Sequence, residues 1–136
     1  MQSQKSITEL GYRIIGCAIE VHKAIGPGLL ESIYQSCFLA ELRHQGMNVA
    51  EQVAVPIFYR GNKAKDSLKL DLLVENQIIL ELKAVEVLMP VHKAQLLSYM
   101  KLAQKPKGIL INFNTENIVK SAIHLINDHF SALPLY

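Results

Sequence analysis

Two apolar runs, Leu68–Val74 and Ile78–Ala84, flank three polar residues, Glu75, Asn76 and Gln77, and this pattern constrains the fold more than any other feature. Short apolar runs bounded by turn residues read as strands, and a three-residue link between two of them reads as a hairpin. Both strands nonetheless carry charge: Asp71 sits among Leu70, Leu72, Leu73 and Val74, and Glu81 and Lys83 interrupt the second run. Ionisable groups on buried strands are costly unless they pair or bind a metal. A three-residue turn pairs Val74 with Ile78, and counting outward sets Asp71 opposite Glu81. Side chains alternate along a strand, so Glu81 and Lys83 share a face, whereas a one-residue slip would send Asp71 to the other face. Directly opposed carboxylates repel, and a cation between them removes that penalty.

Hard carboxylate oxygens favour Mg²⁺ or Mn²⁺ over zinc, which takes His or Cys. A metal held this way lowers the pKa of water and neutralises charge at a phosphate. Lys83 is placed to position the attacking water or to offset charge on the phosphoryl group. A structural Asp–Lys or Glu–Lys pair is the alternative that composition and spacing leave open.

The remaining chain supplies a frame for that hairpin. Ser6 and Glu9 have capping-box spacing, which predicts a helix opening there, and Ile7, Leu10, Ile14, Cys17, Val21 and Ile25 recur at helical spacing. Gly26-Pro27-Gly28 breaks it, and a second helix runs from about Leu29 to Gln45, stopping at Gly46. Val53, Val55 and Ile57 alternate with polar or small residues in a strand reaching Tyr59 or Arg60, where Pro56 argues for a sheet edge. Gly61-Asn62 suits a tight turn into the strand that carries Asp71. Pro90 opens a third helix, about Val91 to Gln104, closed by Pro106. Gly108–Phe113 reads as a strand buried on both faces, parallel to the one at Ile79 because a helix of that length makes a crossover. Ile118–Phe130 fits strand and helix equally. The prediction is one α/β (α+β) domain over residues 1–136: helix, helix, three antiparallel strands, crossover helix, strand, in a mixed sheet.

No window approaches the length of a membrane span, and residues 1–9 lack the order of a secretory signal, so the expected location is cytoplasmic, with no membrane partner. Cys17 and Cys37 lack a CxxC spacing and read as buried free thiols. The net charge of +2 is modest, but it is unevenly spread. Residues 1–59 hold four basic side chains (Lys5, Arg13, Lys23, Arg43) against five acidic ones, Glu9, Glu20, Glu31, Glu41 and Glu51. From Arg60 to Lys107 there are nine basic (Arg60, Lys63, Lys65, Lys69, Lys83, Lys93, Lys101, Lys105, Lys107) against five acidic. A solvated lysine-rich surface and a phosphate-facing patch explain this equally well. No zinc finger or basic-aromatic platform is apparent.

Asp71, nine intervening residues, then Glu81-x-Lys83 across a strand hairpin resembles the PD-(D/E)XK nuclease superfamily, whose restriction-endonuclease-like core has the element order given above. Within it the chain resembles the bacterial GxxExxY proteins, with Gly28, Glu31 and Tyr34 at the signature positions. Ile25–Gly28, Asp71–Val74, Glu81–Glu86 and His92-x-x-Gln95-Leu96-Leu97-x-Tyr99 are also similar, and the resemblance covers roughly Leu10 to His124. Two departures stand out: Lys69 replaces an expected arginine, losing its planar fork, and Leu70 stands where the superfamily's name has proline.

The resemblance implies that Asp71, Glu81 and the Leu82 carbonyl ligate Mg²⁺ or Mn²⁺, that Lys83 is catalytic, and that Glu31 reaches the metal directly or through water. It also implies that Gln95 and Tyr99 form the Gln-x-x-x-Tyr motif of the RecB-like branch. By helical spacing, Glu31 and Tyr34 share one face, as do His92, Gln95 and Tyr99, with Leu96, Met100 and Ala103 opposite. Tyr34 and Tyr99 alternatively pack with their hydroxyls satisfied, and His92 reads first as a capping or surface residue. His22, His44, His124 and His129 have no ligand spacing, and Glu86 reads as solvated. The implied activity is metal-dependent phosphodiester hydrolysis in DNA, with RNA second. A non-catalytic nucleic-acid- or nucleotide-binding module and an oligomeric scaffold are the alternatives, and a homodimer or partner protein is expected to help so small a domain grip its substrate.

Overall fold

Residues 2–136 are described by a computed structural model. Its first helix, α1 (Gln4–Ile25), opens at Ser3 and not at Ser6. Ser3 Oγ accepts from the Ser6 amide at 3.0 Å and Ser6 Oγ from the Ser3 amide at 2.9 Å, so Ser6 is the reciprocating member of the cap. Glu9 takes no part in it and instead pairs with Lys5 at 3.9 Å. Ile7, Ile14, Cys17, Ala18 and Val21 form the buried stripe of α1, with Leu10 and Ile25 packed at its margin.

Gly26 (φ 69°) and Gly28 (φ 94°) carry the turn into α2 (Glu31–His44), in a backbone region that a Cβ would strain. The chain then enters β1 (Val49–Val55). The longer strand expected here stops at Pro56, which has no amide to continue a ladder. A detached hairpin follows, β2 (Phe58–Tyr59) and β3 (Asn62–Lys63). It turns on Arg60 and Gly61, both at positive φ, one residue before the expected Gly61-Asn62.

The long hairpin of β4 (Leu68–Val74) and β5 (Ile78–Lys83) leads through α3 (Pro90–Ala103) to β6 (Lys107–Asn112), parallel to β5. The ambiguous stretch after Ile118 resolves into α4 (Ile118–Ser121), β7 (Ile123–Ile126) and α5 (Asp128–Ser131). The sheet order is β1-β4-β5-β6-β7, with β1 at one edge as Pro56 implied and β7 at the other. This is the mixed α+β architecture expected, with one strand more.

α1 and α2 cover Leu72, Val74, Ile78, Leu80, Leu82, Ile109 and Ile111 on one face. On the other, Leu96 and Met100 of α3 pack on Leu73, Ile79 and Leu110. Each fully buried leucine or isoleucine contributes roughly 1.5–3 kcal/mol, so β5 and β6, buried on both faces, are the firm centre from which charged residues project. Gly108 lets α3 lie close, since a Cβ there would stand 2.8 Å from both Leu96 Cδ1 and Met100 Sδ. Cys17 is buried, but Cys37 is only partly so, which corrects the reading of two buried thiols. Among the described residues no helix is long and apolar enough to cross a membrane.

Candidate functional site

The β4–β5 register is Val74↔Ile78, Leu73↔Ile79 and Leu72↔Leu80, the one that the turn length implied. Glu75 and Asn76 adopt φ 51° and 55°, the Gln77 amide donates to the Val74 carbonyl at 2.9 Å, and the Glu75 carboxylate ties the turn to the Asn48 amide at 2.7 Å. Beyond Leu72 and Leu80 the ladder stops and carboxylates take over its donors. The Leu82 amide donates to Asp71 Oδ2 at 2.9 Å, and the Asp71 amide to Glu81 Oε1 at 3.3 Å.

On the other side of β4 the pairing also lapses. Glu51↔Leu72 and Val53↔Leu70 bracket Gln52 and Asp71, which do not pair, and Gln52 adopts φ 49°. Leu72 and Val74 face α1 and α2, yet Leu70 packs with Leu73 on the α3 side, so the alternation of β4 breaks at Asp71. The strand is irregular at the residue that bears the carboxylate.

Glu81 is 7% exposed and Asp71 half-buried. Burial first, and the neighbouring Asp71 second, push the Glu81 carboxyl up to about 9. Glu31, at the first turn of α2, is also raised, by burial and then by Asp71, with Lys83 and His92 partly offsetting the rise. Glu31, Asp71, Lys83 and His92 therefore lie in one electrostatic neighbourhood. Lys83 is half-buried and makes no ion pair among the described residues, so the structural carboxylate–lysine pair is not formed.

Two adjoining carboxylates, one of which holds its proton in the absence of a cation, are a hard-oxygen donor set that fits Mg²⁺ or Mn²⁺. The Lys83 carbonyl accepts from the Phe113 amide at 2.9 Å on the β6 side. The Leu82 carbonyl, one residue back, leaves the strand on the opposite edge, toward Asp71. Among the described residues no three His, Cys, Asp or Glu side chains gather closely enough to hold a metal. The fit is thus to an open site with two carboxylates, water completing the shell, and Glu31 stands outside that pair.

The flanking helices treat the expected residues differently. Tyr34 is fully buried: its hydroxyl donates to the Gly26 carbonyl at 2.6 Å and accepts from the Leu29 amide at 3.1 Å, while its ring stacks on Phe113 at 4.7 Å. Of the two readings open for Tyr34, the packed one with its hydroxyl satisfied is the one found, although it lies three residues from Glu31. Gly28 makes the turn, Tyr34 staples it, and Glu31 is the member of the signature near the carboxylates. On α3, His92 Nδ1 accepts from the Met89 amide at 3.0 Å, a capping role as its position suggested. Gln95 Nε2 donates to Tyr99 Oη at 2.7 Å on the helix surface, and no hydrogen bond joins either to Asp71, Glu81 or Lys83.

Asn112 escaped the sequence reading. It is buried, its Oδ1 accepts from the Val85 amide at 3.1 Å and the Asn114 amide at 3.2 Å, and its Nδ2 donates to the Val85 carbonyl at 2.8 Å. Asn112 pairs with Lys83 and so clamps the chain just past it. The signal was a lone amide ending an apolar strand.

The family model of the PD-(D/E)XK nuclease superfamily matches residues 8–124, a span containing Glu31, Asp71, Glu81, Lys83, Gln95 and Tyr99. Among solved structures, the crystal structure of SSO0001 is similar, with a TM-score of 0.56 and 22% identity, covering 71% of this chain and 49% of that one. At that identity the likeness is one of fold, and this chain spans about half the length of that protein. No curated protein matches the chain.

Proposed function

Because the chain belongs to the PD-(D/E)XK nuclease superfamily, we propose that it is a divalent-metal-dependent nuclease that hydrolyses phosphodiester bonds, in DNA ahead of RNA. The observation that carries this reading is the Asp71–Glu81 pair in the lapsed ladder, with Lys83, which makes no ion pair among the described residues, beside it. Asp71, Glu81 and the Leu82 carbonyl would hold Mg²⁺ or Mn²⁺. When bound, such a cation would lower the pKa of water and neutralise charge at the phosphate. Lys83, two residues from Glu81 on the same face of β5, is free to orient that water or to meet the phosphoryl oxygens. Glu31 adds a third carboxyl within reach of the same field. Gln95 and Tyr99, held to each other, offer hydrogen bonds to a nucleic-acid strand from α3.

Gly28, Glu31 and Tyr34 support a finer placement with the GxxExxY proteins, because each residue has a distinct job in setting Glu31 at the rim. Nucleic acid as partner has further support from the β2–β3 hairpin. It departs from β1 and re-enters β4 at the Val55–Leu68 pair, three residues along β4 from Asp71. Phe58 and Tyr59 are exposed there, with the Arg60 guanidinium 5.8 Å from the Tyr59 ring centroid, and Lys63, Lys65 and Lys69 are exposed nearby in the chain. Aromatic faces among cations suit stacked bases and phosphates, an arrangement the linear sequence did not suggest.

The test is cleavage of single- and double-stranded DNA and of RNA with Mg²⁺, Mn²⁺ or EDTA, comparing wild type with Lys83→Met. Cleavage that needs the metal and vanishes in the variant is expected. Salt-dependent binding with no cleavage under any condition would replace this reading with a non-catalytic module.

A further inference from the structure

Lys107 is 8% exposed, yet among the described residues its Nζ makes no ion pair or hydrogen bond. No side-chain nitrogen or oxygen sealed from solvent lacks a partner among those residues, so this Nζ is reached by solvent, and Lys107 lines a cavity. The cavity has a volume of about 230 Å³ and is lined by Thr8, Gly11, Tyr12, Lys107 and His124. It lies where α1 crosses the β6–β7 end of the sheet. Lys107 pairs with Ile78, whereas Lys83 pairs with Asn112 five residues along β6, so the two lysines stand roughly 17 Å apart at the usual strand rise. Lys107 therefore does not belong to the surface cluster in which its place in the sequence put it.

The cavity has features of a built site. A glycine within a helix costs about 1 kcal/mol relative to alanine, and Gly11 interrupts α1 where the lysine stem runs. A Cβ there would lie 3.2 Å from Lys107 Cε and 3.6 Å from Nζ. No Asp or Glu lines the space, so the ammonium faces no counter-charge. The other polar side chains lining the space besides Thr8 are Tyr12 and His124, whose hydroxyl and ring can donate. Thr8 Oγ1 spends its proton on the Gln4 carbonyl at 2.8 Å and serves as wall. Burial lowers the Lys107 pKa, and burial and then the Lys107 charge lower that of His124.

We propose that this cavity binds a small oxyanion of the phosphate type, with Lys107 as the charged anchor and Tyr12 and His124 as flanking donors. A phosphate group fits such a volume, whereas a duplex does not enter it. The proposal is independent of the nuclease reading, since it uses none of the residues around Asp71.

The experiment is a titration of the full chain, in EDTA, with inorganic phosphate against chloride at matched ionic strength, read by thermal shift and by ³¹P line width. A nucleoside 5′-monophosphate titrated in parallel distinguishes free phosphate from a phosphate monoester as the source. Saturable stabilisation is expected in wild type, with affinity at least tenfold weaker in Lys107→Met, weakened in Gly11→Ala, and unchanged in Lys101→Met. Gly11→Ala keeps the charge and displaces only the stem, so it separates anion binding from any effect of Lys107→Met on folding. A response that does not saturate, or one equal in wild type and Lys107→Met, would be general salting-out and would overturn the proposal.

Discussion

In metal-free protein, replacing Glu81 by glutamine is expected to remove a fall in stability that wild type shows between about pH 5 and about pH 8. The folded-state carboxyl is raised from its ordinary 4.5 to about 9 by burial and by Asp71. The folded protein thus binds this proton more tightly than the unfolded chain. The resulting stability is fully present below the unfolded value and is lost as pH rises through the folded one. Each pH unit in that window is worth about 1.4 kcal/mol, so three units set a ceiling of roughly 4 kcal/mol, a large part of the 5–15 kcal/mol typical of a domain. Glutamine keeps the shape, cannot ionise, and can donate to Asp71 through its amide. Urea unfolding in EDTA at several pH values measures the effect, and titrating groups remote from the Asp71–Glu81 pair cancel in the difference between the two proteins. The variant should gain on wild type steadily as pH rises. Parallel stability profiles would show that Glu81 is not held protonated beside Asp71, and the reasoning about the pair would fail.

Asn112→Ala unpairs the amide and carbonyl of Val85, which should cost roughly 2–3 kcal/mol in urea unfolding and lower cleavage more than global stability explains, because Lys83 loses its clamp. Tyr34→Phe removes two hydrogen bonds from the Gly26–Leu29 turn and should cost roughly 1–3 kcal/mol. Because that turn sets Glu31, its weaker cleavage should resemble that of Glu31→Gln, measured side by side. Gly108→Ala forces a Cβ against Leu96 and Met100, and a loss of roughly 1–3 kcal/mol in thermal unfolding is expected, with the Gln95–Tyr99 face moved outward.

The opposition of Asp71 and Glu81 was legible because a three-residue turn leaves little freedom in counting, and because a charge in a leucine-rich strand is conspicuous. The lapse in pairing at Gln52 and Asp71 was not, since neither residue is a glycine or proline and the distortion arises from β1 and β4 together. Asn112 passed unmarked inside a strand read through to Phe113, because its partner, Val85, lies 27 residues away and meets it only once β5 and β6 lie parallel. Ile118–Phe130 resisted assignment because its apolar residues serve three short elements. Asn117 and Asn127 open the two helical turns by accepting from the Lys120 and His129 amides. Tyr34 shows the limit of helical spacing. It sits three residues from Glu31, but its hydroxyl is spent within the core on Gly26 and Leu29 while Glu31 stays at the rim. Lys107 reads as one more surface lysine because nothing in the linear sequence links it to Gly11, which makes room for its stem.

The most direct test of the central claim is calorimetric titration of Mn²⁺ and Mg²⁺ into wild type, Asp71→Ala and Glu81→Ala, with circular dichroism on each protein. A carboxylate-held cation predicts binding in wild type, none in either variant, and folds that are intact or slightly more stable once one of two crowded carboxylates is gone. Wild type that binds no metal, or variants that bind as wild type does, would contradict a metal centre on Asp71 and Glu81.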